Sequence, residues 1–202
     1  MIVTVPEVRD RMSLKDIPEV NAAIKRTIVT SETVIAGILG TTFESGSRTD
    51  TFYFHPDYFP AMANQGIVGK LTQGFVKPSS TVVSWADSTR ANLLLSPSPM
   101  DETEFYFDYE RGIGMFNGTH LGRWVSVNYK AGFDEGDDSI PTWLKEAVLA
   151  YLPHLLLQPK AGVKGEIAAA NTAAKLAYDI AGKILEPHMR SGPFQYSPII
   201  RG

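Results

Sequence analysis

Residues 125–149 constrain the fold more than any other stretch. Val125-Ser126-Val127-Asn128-Tyr129 alternates apolar and polar side chains, and Lys130-Ala131-Gly132-Phe133 closes the run. An acidic loop follows, and Ile140-Pro141-Thr142-Trp143-Leu144 opens a new apolar pattern that continues to Leu149. Strict alternation marks a strand with one covered face, whereas Pro in a first turn followed by spacings of three and four marks a helix. A chain that changes period in this way must pack a sheet and a helix.

The flanking segments extend this reading. Thr4-Val5-Pro6-Glu7 has capping-box spacing with Pro in the first turn, which predicts a short helix ending near Met12-Ser13. Asp16-Ile17-Pro18-Glu19 repeats the logic. It opens a helix over 17–39 with Val20, Ile24, Ile28, Ile35 and Ile38-Leu39 on one face and Gly40 as its C-cap. From Thr41 to Phe133 aromatic and β-branched residues alternate with polar ones between Gly, Pro, Ser and Asn. Strands are predicted at Thr51–Phe54, Gly74–Val76, Thr81–Trp85, Asn92–Leu95, Glu104–Tyr109, Ile113–Phe116 and Trp124–Tyr129, with a tight turn at Asn117-Gly118.

Helix returns at Pro141 with Trp143, Ala147, Ala150, Tyr151 and His154 on one stripe, and Pro153 is expected to kink or break it. An alanine-rich helix over 165–186 places Ile167, Ala170, Ala174, Ala177-Tyr178, Ala181 and Ile184-Leu185 inward. The fold class is α+β: a bundle of N- and C-terminal helices with an inserted antiparallel β module, a small sandwich or barrel. The expected boundaries are 1–41 and 134–190 for the helical core, 42–133 for the β module and 191–202 for an extended C-terminal tail.

Composition removes several function classes. With no Cys, a thiolate zinc site and a cysteine nucleophile are both excluded. Met1–Glu7 lacks the basic-then-apolar order of a signal peptide, and no apolar run approaches the roughly 20 residues of a membrane span, so a soluble protein is expected. Net charge of -3 argues against a general nucleic-acid binder.

Candidate chemistry is sparse. His55, His120, His154 and His188 include no pair at metal-ligand spacing, and there is no Gly-x-Ser-x-Gly elbow. Gly112-Ile113-Gly114 is read as a hairpin feature. Asp134, Glu135, Asp137 and Asp138 form the best cation candidate, but acidic residues there also complement the dipole of the following helix. Asp101, Glu102, Glu104 and Asp108 offer carboxyl pairs for acid–base work. The sets Phe52, Tyr53, Phe54, Tyr58, Phe59 and Phe105, Tyr106, Phe107, Tyr109 are read chiefly as β core, with a stacking platform for a sugar or base as the rival reading. Phe194, Tyr196, Ile199 and Ile200 are apolar residues among Gly and Pro, the pattern of an extended docking segment.

The order of parts resembles the head–tail connector (adaptor) proteins of tailed bacteriophages. The residues that carry the likeness are Val5-Pro6-Glu7-Val8-Arg9, Ile38-Leu39-Gly40-Thr41-Thr42-Phe43, Asp108-Tyr109-Glu110-Arg111-Gly112-Ile113-Gly114, the string from Trp124 through Leu152, and Ile184-Leu185-Glu186-Pro187-His188-Met189-Arg190. The resemblance implies a structural virion protein without enzymatic activity or cofactor, made in the host bacterial cytoplasm and placed at the head–tail junction. It implies a ring, usually dodecameric, beneath the portal protein, which extends the DNA channel and offers a platform to the next neck or tail protein. Double-stranded DNA would pass without sequence recognition, and no membrane is involved. The tail residues Phe194, Gln195, Tyr196, Ile199, Ile200 and Arg201 would meet the portal. Neighbouring copies would meet through the two long helices, with Ile24, Ile28, Ile35, Ala170, Ala174 and Tyr178 as interface residues. The residues alone leave two rivals: a carbohydrate- or ligand-binding β module on a helical scaffold, and a hydrolase using the carboxylates of 101–110 or 134–138.

Overall fold

In a computed structural model the chain is described over residues 1–56, 66–87, 89–134, 137–156 and 164–189. It divides into a helical unit, Met1–Phe43 with Phe133–Met189, and a β unit built on Glu44–Gly132. The fold is α+β, with the β unit inserted between the two parts of the helical unit.

The helical unit begins with α1 (Val5–Met12). The Thr4 hydroxyl accepts from the Glu7 amide, and the Glu7 carboxylate accepts from the Thr4 amide at 2.6 Å. This capping box satisfies amides that an isolated helix start leaves orphaned. α2 (Pro18–Leu39) starts differently from the expectation, because its N-cap is Ile17 with no side-chain cap. Asp16 is diverted to the Arg9 guanidinium (2.6 Å) and the Asn21 amide (2.8 Å). Gly40 ends α2 at φ 65, and the Thr41 amide closes back on the Ala36 carbonyl.

α4 (Thr142–Leu156) lies between α2 and α5 (Lys164–Leu185) and packs on both. Leu144, Ala147, Val148, Tyr151 and Leu152 of α4 are buried with Ile24, Ile28, Ile35 and Leu39 of α2 and Ala174, Ala177, Ala181 and Leu185 of α5. Alanine along α5 lets the helix axes approach closely while burying little side chain per residue. Pro153 does not break α4. It sits three residues before Leu156, where the missing amide costs only one bond in the last turns, and His154 Nδ1 lies 3.0 Å from the Ala174 carbonyl.

Seven strands are described in the β unit, in two antiparallel sheets. One has the order β1 (Gly46–Tyr53), β7 (Arg123–Ala131), β3 (Val82–Asp87), β4 (Ser98–Pro99). The other has the order β2 (Ile67–Lys70), β6 (Ile113–Phe116), β5 (Phe105–Asp108). Both contribute to one core: Phe52, Val83, Val125, Val127, Tyr129 and Ala131 from the first, Ile67, Phe107 and Phe116 from the second. The alternation read in β7 is the cause, since Val125, Val127, Tyr129 and Ala131 share one face while Asn128 is exposed.

Three local expectations are corrected. Asn92–Leu95 belongs to a helix, α3 (Arg90–Leu95), because the Thr89 hydroxyl accepts from the Asn92 amide and caps it. The cap outweighs the apolar run that reads as a strand. Gly74–Val76 is not a strand: Phe75 takes φ 51, and residues 71–76 are bound to the β5–β6 turn through Leu71, Phe75 and Val76 amides donating to Gly112, Glu110 and Tyr109 carbonyls, each at 2.8 Å. Asn117-Gly118 does not close a hairpin. The Asn117 side chain accepts from the Thr119 amide and starts a 3-10 turn that carries the chain from one sheet to the other.

Candidate functional site

The string that carries the family resemblance occupies the return from the β unit to the helical unit. β7 ends at Ala131, and Gly132 turns the chain at φ 81, a conformation that favours glycine. The Phe133 amide then donates to the Phe43 carbonyl at 3.0 Å, and the two rings lie 6.4 Å apart. Phe43 is the last residue before the β unit and Phe133 the first after it. The helical unit is thus closed on itself across the insertion. Pro141 then starts the next helix, with the Leu144 amide donating to the Pro141 carbonyl. In the first turn of that helix, Trp143 stacks on His188 with ring centroids 3.7 Å apart and planes within 7°.

The six interface residues named from the sequence occupy different positions. Ile24, Ile28 and Ile35 are buried in the core of the helical unit, because the apolar face of an amphipathic helix turns first to its nearest neighbours. Ala174 is buried on the α5 seam. Ala170 lies within α5, and its side chain is outside the described set. Tyr178 is half exposed, with its ring 6.2 Å from Tyr151 and 5.5 Å from His154. Exposed apolar residues on the two long helices are instead Val29 and Ile38 of α2 and Leu176 and Ile180 of α5. Sequence periodicity finds the inward stripe; an apolar residue off that stripe, such as Val29, was the available signal for the outer face. Thr27, Thr30 and Thr33 donate their hydroxyls to carbonyls four residues back, so this face of α2 offers methyl groups to solvent. Phe194, Gln195, Tyr196, Ile199, Ile200 and Arg201 lie outside the described residues.

Three of the carboxylates named as acid–base candidates, Asp101, Glu104 and Asp108, are engaged in local structure. Asp101 and Glu104 form a capping box before β5, and the Thr103 hydroxyl and amide hold the Asp101 carboxyl below the usual carboxylate range. Asp108 accepts from the Arg111 amide at 3.0 Å. Asp137 accepts from the Ser139 amide and hydroxyl at the approach to α4, and Glu135 lies outside the described residues. Among the described residues no three metal-ligating side chains gather, and no helix is long and apolar enough to cross a membrane. Asp50 accepts from the Tyr129 hydroxyl (2.7 Å), the Thr72 amide (2.5 Å) and the Thr72 hydroxyl, and clasps the 71–76 segment onto the β1–β7 pair.

The aromatic sets mostly fill the core: Phe52, Phe54 and Phe107 are buried, with Phe105 and Tyr109 packed against them. Tyr58 and Phe59 lie outside the described residues. Among the described members Tyr106 alone is strongly exposed, at 69%, opposite Met115 in the β5–β6 register. Together with Gly66, Glu104 and Asn117 they border an open depression of about 220 Å³. Its polar rim is committed inward: Glu104 accepts from the Asp101 amide and Asn117 from the Thr119 amide.

Behind Glu104 sits a histidine that the sequence reading weighed only for metal-ligand spacing. His120 is 1% exposed, and neither ring nitrogen makes a hydrogen bond among the described residues. Nε2 stands 3.4 Å from Glu104 Oε1, outside hydrogen-bonding geometry. The Trp85 ring is 5.8 Å away, and Arg123 stacks over that ring at 4.1 Å while pairing with Asp87 at 2.9 Å. Burial lowers the imidazole pKa below its ordinary value; Glu104 opposes this and Arg123 adds to it.

No protein-family model matches this chain. No curated protein matches it either. Among solved structures, it is similar to a chain in the neck of an empty GTA particle computed with C6 symmetry, with TM-score 0.46, 15% identity, and coverage of 85% of this chain and 89% of that one. A chain in the virion of a native gene transfer agent (GTA) particle gives TM-score 0.45, 15% identity, and 85% and 88% coverage. One in the neck of a native GTA particle computed with C12 symmetry gives 0.43, 16%, and 84% and 86%.

Proposed function

We propose that this chain is a head–tail connector subunit of a tailed-phage-like particle. It assembles as a ring beneath the portal protein, extends the DNA channel, and carries the next neck or tail protein. The observation that carries this reading is the closure at Phe43 and Phe133. Helices from both ends of the chain make one unit, a β unit is inserted between them, and the strand–loop–helix string of residues 124–152 forms the return. This is the layout that the sequence resemblance implies.

A ring asks each subunit for two different complementary patches, because a head-to-tail contact closes only when one face meets another. The outer faces of α2 and α5 supply candidates. α2 carries exposed Val29 and Ile38 on opposite flanks, and α5 carries exposed Leu176 and Ile180 on one face with Tyr178 on another. Ile24, Ile28, Ile35 and Ala174 support these faces from behind by fixing the helices on α4. The segment Phe194–Arg201 is assigned to the portal.

The test is a pull-down with negative-stain imaging of this protein mixed with portal rings, full length and cut after Arg190. A ring stacked on the portal and lost on truncation supports both the connector role and the tail's part in it. Stacking that survives truncation keeps the connector and moves docking to the helices. Absence of binding by the full-length protein overturns the reading.

A further inference from the structure

We propose that His120 is an acid-sensitive latch between the two sheets of the β unit, closed while the imidazole is neutral and loosened when it gains a proton.

The placement of His120 carries the argument. It lies on the turn that leaves β6 in the three-stranded sheet and enters β7 in the four-stranded sheet. One neighbour, Glu104, comes from the turn before β5; the other, Trp85, comes from β3. A single buried side chain therefore touches segments of both sheets. A buried polar group without hydrogen bonds is uncommon in a folded protein and calls for a reason. Histidine is also the side chain whose ordinary charge change falls between pH 5 and 8.

The surrounding charges set the direction. Glu104 from the turn before β5 attracts a proton to the ring. Arg123 from β7, stacked on Trp85, repels it, and Asp87 at the end of β3 is already paired with Arg123. The turn itself, residues 117–122, contains no other charged side chain. Burial is the largest influence and favours the neutral ring. The folded-state pKa thus lies below that of the unfolded chain. Stability from the neutral ring is complete above the ordinary value of 6.5 and is lost as pH falls through the folded value. Protonation then places a cation on a ring that is 1% exposed and that Arg123 repels, the attraction of Glu104 offsets this only in part, and the relief is to move the 117–122 turn off Trp85.

The test is hydrogen exchange of the full chain, corrected for intrinsic rates, at neutral pH and at steps down to the acid side of histidine's range. Amides of β6 and β7 should exchange faster as pH falls, with the opening constant rising roughly tenfold for each unit by which the folded pKa is depressed. Amides of α2 and α4 should not follow. The acceleration should vanish in His120→Gln. Equal acceleration in that variant, or none in the wild type, overturns the latch. Should His120→Gln fail to fold, the imidazole resonance of the wild type is titrated beside Glu104→Gln. A midpoint below 6.5 that falls further in Glu104→Gln supports the proposal, and a midpoint at or above 6.5 overturns it.

Discussion

The two units answer the same problem with different material. The β unit fills its core with rings: Phe52 stacks on Phe54 at 6.1 Å, Phe54 meets Phe116 at 5.3 Å, and Phe107 meets Phe116 edge-on at 5.6 Å. The helical unit uses aliphatic side chains on α2 and α4 and shrinks to alanine on α5. Each unit also buries polar groups without hydrogen bonds among the described residues: His120 in one, and the Ser31 hydroxyl in the other. Short strands cannot supply much area per residue, so large rings compensate. Long helices supply area by length, so close approach becomes the design variable. The β unit should therefore suffer most from lost volume, and the α4–α5 seam from added volume.

The comparison breaks first at Phe116, which is 1% exposed and touches Phe52, Phe54 and Phe107. Phe116→Ala should destabilise the β unit by about 3–5 kcal/mol. Urea unfolding read by Trp85 and Trp124 fluorescence in a Trp143→Phe background measures this; a loss under about 1 kcal/mol would show that the aromatic core is not the source of its stability. Next, Ala181→Leu should destabilise the helical unit by about 1–3 kcal/mol through overpacking against α4, read by thermal unfolding in far-UV circular dichroism. A neutral result would mean the seam has slack and that alanine there serves something other than close approach. Thr4→Ala removes the α1 cap and should cost about 0.5–2 kcal/mol, checked by the same melts and by faster exchange of the first α1 amides. The smallest effect has the opposite sign. Ser31→Ala deletes a fully buried hydroxyl without a partner among the described residues, and should raise stability by up to about 1 kcal/mol. A clear loss would reveal a partner for that hydroxyl.

Much of the helical unit was legible because its signals are local. Thr4 and Glu7 are three residues apart, Gly40 adjoins the last turn it caps, and Ile24, Ile28 and Ile35 repeat at the helical period. The reading failed where local signals compete. Asp16 is a good cap residue, yet Arg9 and Asn21 claim its carboxylate. Leu93-Leu94-Leu95 reads as a strand, yet Thr89 starts a helix there. Periodicity placed both Tyr178 of α5 and Ile38 of α2 inward, yet both are exposed, because a helical stripe does not say where its edge falls. The burial of His120 was not legible, since Asn-Gly-Thr-His-Leu-Gly reads as an ordinary polar turn.

The amino-acid sequence by itself determined the α+β class, the two long helices and the alternation that gives β7 one inward face. Those follow from period, caps and turn residues, which act over a few positions. The tertiary structure alone decided that β7 lies between β1 and β3, that α4 lies between α2 and α5, that the outer faces of α2 and α5 retain apolar side chains, and that an imidazole is buried beside Trp85 and Glu104. Strand partners and burial depend on groups brought together from distant parts of the chain, and one-dimensional patterning holds no term for that meeting.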